Sequence, residues 1–111
     1  MTELVTTGTW QVQPQHQAAF VEAWTLFAEW ASSMPGSTRL RLGRDIGDPR
    51  RFVSFAVWQD ADAVRTWKAA PDFPDRLAHV VQHVAEFQPA ELGVVAVAEG
   101  SRGLAAIHRT A

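Results

Sequence analysis

The residues best able to do chemistry lie between Trp67 and Glu86, in the stretch WKAAPDFPDRLAHVVQHVAE. His79 and His83 stand four apart with Glu86 three further on, so a helix would carry all three on one flank. Such spacing can hold a metal ion, but the glutamate that adjoins the first histidine in helical zinc proteases is missing. A solvated flank beside an apolar stripe of Leu77, Val80 and Val84 explains the same pattern, and no metal is expected. Turned inward, His79 would be the best general base in the chain, because imidazole titrates near neutrality. Arg76 could stabilise an anion beside it. Arg39 and Arg41 share one side of a strand and could do the same, or could blunt a sheet edge and keep it soluble. No glycine-rich phosphate loop, serine nucleophile elbow or telling carboxylate pair is present.

The second chemical resource is aromatic. Five tryptophans and six phenylalanines occur with no tyrosine. Large flat side chains without phenols suit a dry cavity for a flat ligand, and they suit an ordinary core as well. Trp24, Phe27 and Trp30 recur at helical spacing, Trp58 ends an apolar strand, and Trp67 follows one helix later. Each reads as cavity wall or as core. Phe73, between Pro71 and Pro74, reads as a lid over a pocket or as part of a rigid connector.

Positioning these side chains requires six elements. Leu4 to Val12 alternates loosely and predicts a half-buried strand. After Pro14, the residues Phe20, Ala23, Trp24, Phe27, Trp30, Ala31 and Met34 predict an amphipathic helix that Pro35-Gly36 ends. Thr38, Leu40 and Leu42 alternate with Arg39 and Arg41 in a second strand. Gly47-Asp48-Pro49 makes a turn into a third strand, Arg51 to Trp58, closing an antiparallel hairpin. Asp60 predicts the N-cap of a helix from Ala61 to about Ala69. A further helical piece runs from about Pro74 to Pro89, and Leu92 to Ala98 is expected as the last strand.

Two strand-helix-strand halves predict a ferredoxin-like βαββαβ α+β domain, a four-stranded antiparallel sheet with its helices on one face. The third strand is apolar on both sides: Val53, Phe55 and Val57 on one, Phe52, Ala56 and Trp58 with Ser54 on the other. One of these sides must face away from the helices, and it is too apolar for water. A second copy, sheet against sheet, would cover it, so a homodimer is expected.

Composition narrows the classes further. The 111 residues are 47% hydrophobic, enough for one core. Residues 1–99 are expected to form the domain and 100–111 a C-terminal tail. A net charge of -2 gives no electrostatic footprint for nucleic acid or for an anionic membrane. The absence of cysteine removes disulfides, thiolate metal sites and cysteine nucleophiles together. The N-terminus lacks the layout of a signal peptide and no run is long enough to span a membrane, so a cytoplasmic protein is expected.

The element order, with the stretch GRDIGDPRRFVSFAVWQDADAVRTWKAAPDF, resembles the antibiotic biosynthesis monooxygenase superfamily of dimeric α+β barrels. The likeness runs from about Glu3 to Glu99, strongest at the strand ending in Trp58, the helix start at Asp60, and Trp67. The resemblance implies a barrel of two facing sheets, with a cavity in each subunit between helices and sheet. It implies oxidation of a small flat aromatic ligand, polyketide- or quinol-like, with O2 and no bound cofactor. Trp67 matches the cavity tryptophan of the family, with His79 or Arg76 left to handle the proton or the charge. Trp24, Phe27, Trp30, Trp58 and Phe73 would then bind the substrate. One branch of the family degrades haem with a histidine on the helix after that tryptophan, where Arg76 and Leu77 stand here. The strand asparagine of those enzymes is replaced by Thr6 or Thr7. A haem-binding oxygenase using His79 and a non-catalytic binding dimer of the same fold are the rival expectations.

Overall fold

The structure, a computed structural model, describes residues 2–98 and Gly100. Strands β1 (Leu4–Gln11), β2 (Ser37–Arg44), β3 (Arg51–Trp58) and β4 (Glu86–Gly93) form one antiparallel sheet in the order β2-β3-β1-β4. Helices α1 (Gln17–Ser32), α2 (Ala61–Lys68) and α3 (Phe73–Val81) complete the ferredoxin-like α+β arrangement. Trp10, Phe20, Phe52, Trp58, Val64 and Val80 are among the residues buried in one core, which takes side chains from the sheet and from all three helices. The expected tail lies outside the described residues from position 101 onward, as does His108.

Local chemistry sets the element boundaries. A 3-10 turn at Pro14–His16 leads into α1, and the Gln17 amide donates to the Pro49 carbonyl at 2.8 Å. This bond ties the start of the helix to the β2–β3 turn. Phe20, Ala23, Phe27 and Ala31 then recur at the three- and four-residue spacing that buries one helix face. The chain leaves α1 through Gly36, which has φ 85°, and a Cβ there would stand 2.6 Å from the Cβ of Ala63. Glycine satisfies both the left-handed backbone and the close approach of α2. Asp60 caps α2 by accepting from the Ala63 N–H at 2.9 Å, and the helix turns Val64 and Trp67 inward.

The expected last strand is displaced. β4 runs from Glu86 to Gly93, and Val94 to Ala98 lies beyond it without strand pairing. The cause is β1. Gln11 opposes Glu86 and Leu4 opposes Gly93, so past Gly93 only the Glu3 carbonyl remains, accepting from the Val94 N–H at 3.0 Å. Alternation along β4 then points the Pro89 nitrogen toward the open edge, where a missing N–H costs no ladder bond. Pro89 therefore sits inside the strand and does not end a helix. α3 stops at Val81, which places Glu86 in the sheet and not on the helical flank expected for it beside His79 and His83.

Helices cover only one face of the sheet. Phe52, Ser54, Ala56 and Trp58 of β3 face them and are buried, while Val53 and Val57 are half-buried and Phe55 remains 38% exposed on the other face. Register places Val5 beside Val57 and Leu92 on that open face, with Thr7 beside Phe55 and Arg39 and Arg41 along the β2 edge. No helix among the described residues is long and apolar enough to cross a membrane.

Candidate active site

Between helices and sheet lies a cavity of about 170 Å³. The sheet contributes Thr6, Gly8 and Trp10 from β1, Leu40 from β2, Ser54 and Ala56 from β3, and Phe87 and Pro89 from β4. The helices contribute Trp24 and Phe27 from α1, Trp67 and Lys68 from α2, and Phe73 and Leu77 from α3. Gly8 makes room for part of this wall. A Cβ on it would stand 2.8 Å from the Trp10 indole nitrogen and 3.0 Å from the Phe87 ring, and those two rings stack at 4.0 Å across it.

Trp67 is the centre of the aromatic wall. Its ring stacks on Trp58 at 4.7 Å, meets Phe73 edge-on at 5.0 Å and lies 5.7 Å from Phe27. The residue is 6% exposed, and its Nε1–H has no hydrogen-bond partner among the described residues. A buried donor left in this way costs about 1–3 kcal/mol, and native interiors seldom tolerate it. The neighbouring indoles are satisfied. Trp10 Nε1 donates to Ser54 Oγ at 2.9 Å, and Trp58 Nε1 donates to Thr6 Oγ1 at 3.1 Å. Each of those hydroxyls still has its own proton to give.

The polar residues that line the cavity are Thr6, Thr7, Ser54, Trp67 and Lys68. The Ser54 and Thr6 hydroxyls accept from indoles and keep a proton to give, the buried Trp67 Nε1–H is an unpartnered donor, and Lys68 is a cation. Among the described residues, no histidine and no carboxylate lines the cavity. Such a wall favours a ligand oxygen that carries or develops negative charge.

Of the residues expected at the site, Trp24, Phe27, Trp67 and Phe73 meet at the cavity. Trp58 stands one layer back, fully buried behind Trp67. Trp30 packs against Phe27 and Phe73 without lining the cavity. Arg76 and His79 are not on the wall either. α3 directs Phe73, Leu77 and Val80 inward at four- and three-residue spacing, which turns Arg76 and His79 onto its outer flank. There the Arg76 guanidinium lies over the Trp30 ring, 4.7 Å from its centroid, and its Nε is 3.5 Å from Asp72. His79 is exposed and engages Gln82, its ring 6.4 Å from that of His83. Among the described residues, no three histidine, aspartate or glutamate side chains are grouped to hold a metal ion.

Trp10, Ser54, Thr6, Lys68 and Phe87 line the site without standing out in the sequence, though two signals point to part of this set. Ser54 interrupts the helix-facing side of β3, and Gly8 interrupts β1 two residues before a tryptophan. A lone polar residue on a buried apolar face, and a glycine within a strand, both mark places where something packs closely.

A four-stranded ferredoxin-like sheet with an aromatic-lined cavity under its helices defines a small α+β domain. The family model for antibiotic biosynthesis monooxygenases matches residues 4–79, and the chain belongs to that family. Among solved structures, it is similar to SnoaB, a cofactor-independent oxygenase from Streptomyces nogalater. That match has 22% identity and TM-score 0.77 over 87% of this chain and 97% of the other. A conserved protein from Methanosarcina mazei matches at 13% identity and TM-score 0.75, over 83% and 92% of the two chains. At these identities the likeness shows a shared fold. No curated protein matches the chain.

Proposed function

We propose that this chain is a cofactor-independent oxygenase acting on a flat aromatic of phenol, hydroquinone or anthrone type held in the helix–sheet cavity. The observation that carries this reading is that Trp67, whose buried Nε1–H has no partner among the described residues, lines the cavity. A substrate oxygen accepting from it would satisfy the orphan donor, and the bond would strengthen as that oxygen becomes anionic. An anthrone illustrates the balance. Once deprotonated, it gives one electron to O2, and the radical pair combines at carbon as a peroxide. Loss of water then leaves the new carbonyl, so that one ring methylene and one O2 become one carbonyl and one water. Since the wall holds no proton acceptor, the first proton must leave to solvent, and the protein's part is to stabilise the anion in a dry site. Membership of the family and the fold shared with SnoaB support this reading.

Assembly belongs to the same proposal. The open sheet face, with Val5, Val53, Phe55, Val57 and Leu92, is self-complementary in character and fits a homodimer that closes sheet on sheet. The haem alternative has no comparable support, because His79 stands off the cavity and about 170 Å³ is well below the volume of cofactor-sized pockets. The non-catalytic binding dimer has one observation in its favour, the lack of a base on the wall.

Oxygen-electrode traces on chelator-treated protein with anthrones, naphthols and hydroquinones separate the two surviving readings. The oxygenase reading expects at least one of them to be consumed well above the rate in buffer. Binding of these compounds with no uptake above buffer would leave the binding dimer.

A further inference from the structure

Resting on the proposed use of this cavity, we infer that its ligand carries an ionised acid group besides its flat ring, and that Lys68 recognises that group. Among the described residues, Lys68 is the only ionisable side chain lining the cavity. It is the last residue of α2, next to Trp67, so the indole that meets the ring and the ammonium are set by one helical turn. Its partner is Glu91, which approaches from the helix-facing side of β4 opposite Thr6 and does not itself line the cavity.

The pair is suited to exchange. The Lys68 side chain is 37% exposed and that of Glu91 48% exposed. A salt bridge so hydrated contributes about 0–1 kcal/mol, so replacing or sharing the glutamate costs little. An ammonium has three protons and can hold Glu91 and a second carboxylate at once.

Size gives the same direction. A cavity of about 150 Å³ holds a benzene ring, so the space here encloses one ring or a compact bicycle, and a third ring such as an anthrone's would extend out of it. A substituent on such a ring would extend to the partly exposed end of the wall, where Lys68 stands. With one cation and no anion among the lining residues, a carboxylate is the charged substituent that the site can satisfy without burying an unpaired group.

Calorimetric titration of the full chain with 2-naphthoate and with neutral 2-naphthalenemethanol tests this. The wild type should bind the carboxylate about tenfold more tightly. Lys68→Met should erase that preference while keeping affinity for the neutral compound, which also reports an intact cavity. Glu91→Gln should tighten naphthoate several-fold and leave the neutral compound unchanged. Equal affinities in the wild type, or a preference that survives Lys68→Met, would overturn the role of Lys68 and leave the aromatic cavity standing. Binding of neither compound would remove both.

Discussion

Trp67→Phe should cut oxygen consumption with the best aromatic substrate about 100-fold while leaving the protein about as stable as the wild type. The two halves of that expectation come from the same atom. Removing one hydrogen-bond donor aimed at a developing oxyanion costs on the order of 10²–10³ in rate. In the folded protein without ligand, the same donor is a liability of about 1–3 kcal/mol, since it is buried without a partner. Phenylalanine discards the liability and loses part of the stacking on Trp58 and the contacts with Phe27 and Phe73. These losses and gains are of similar size, so urea unfolding should shift by no more than about 1 kcal/mol. A purely structural tryptophan would behave oppositely, losing stability first and activity only as a consequence. Steady-state rates and urea midpoints on the same preparations distinguish the two.

Phe55→Glu should break the proposed homodimer. Phe55 is 38% exposed at the centre of the open sheet face, between Thr7 of β1 and Arg41 of β2. In a symmetric sheet-to-sheet contact one substitution acts twice. A contact can bury only the 38% of Phe55 that is exposed, about 0.6–1.1 kcal/mol a side on the scale of about 1.5–3 kcal/mol for a whole side chain, so losing it on both sides removes about 1–2 kcal/mol. That term alone weakens the dimer roughly tenfold, and the two carboxylates that the contact would have to bury unpaired weaken it much further. Sedimentation velocity at micromolar concentration should show the wild type as a dimer and the variant as a monomer. A wild type that sediments as a well-behaved monomer would remove the dimer and require another cover for Phe55, Val57 and Leu92.

Much of this architecture is readable from residue order. The alternation in β2 and β3, the aromatic face of α1, the Pro35-Gly36 exit and the Asp60 cap are local signals, and the structure places each where its chemistry predicts. Residue order misplaces β4 because its signal is not local. Leu92 to Ala98 is the more strand-like run, yet EFQPAELG pairs because β1 supplies partners only as far as Leu4. An edge strand can tolerate both the proline and the polar residues that make this segment look unlike a strand.

The site is half legible for a related reason. Helical periodicity identifies which face of α1 or α2 points inward, which brings Trp24, Phe27 and Trp67 to the cavity. It does not separate the first layer from the second, so Trp58 and Trp30, equally aromatic, stand behind the wall. His79 and Arg76 draw attention by residue type, and the inward turn of Leu77 and Val80 rotates both away. The hydroxyls and Lys68 belong to the wall through tertiary pairing, which adjacent residues do not reveal.

The proposed function rests on a ligand oxygen accepting from the Trp67 indole N–H. Proton–nitrogen correlation spectra of the ¹⁵N-labelled protein resolve the indole signals of the five tryptophans, and Trp67→Phe assigns the one that matters. Titration with a naphthol should move the Trp67 indole proton strongly downfield, as a new hydrogen bond does, while the bonded indoles of Trp10 and Trp58 move little. Saturable binding of the naphthol with the Trp67 signal unmoved would contradict the account.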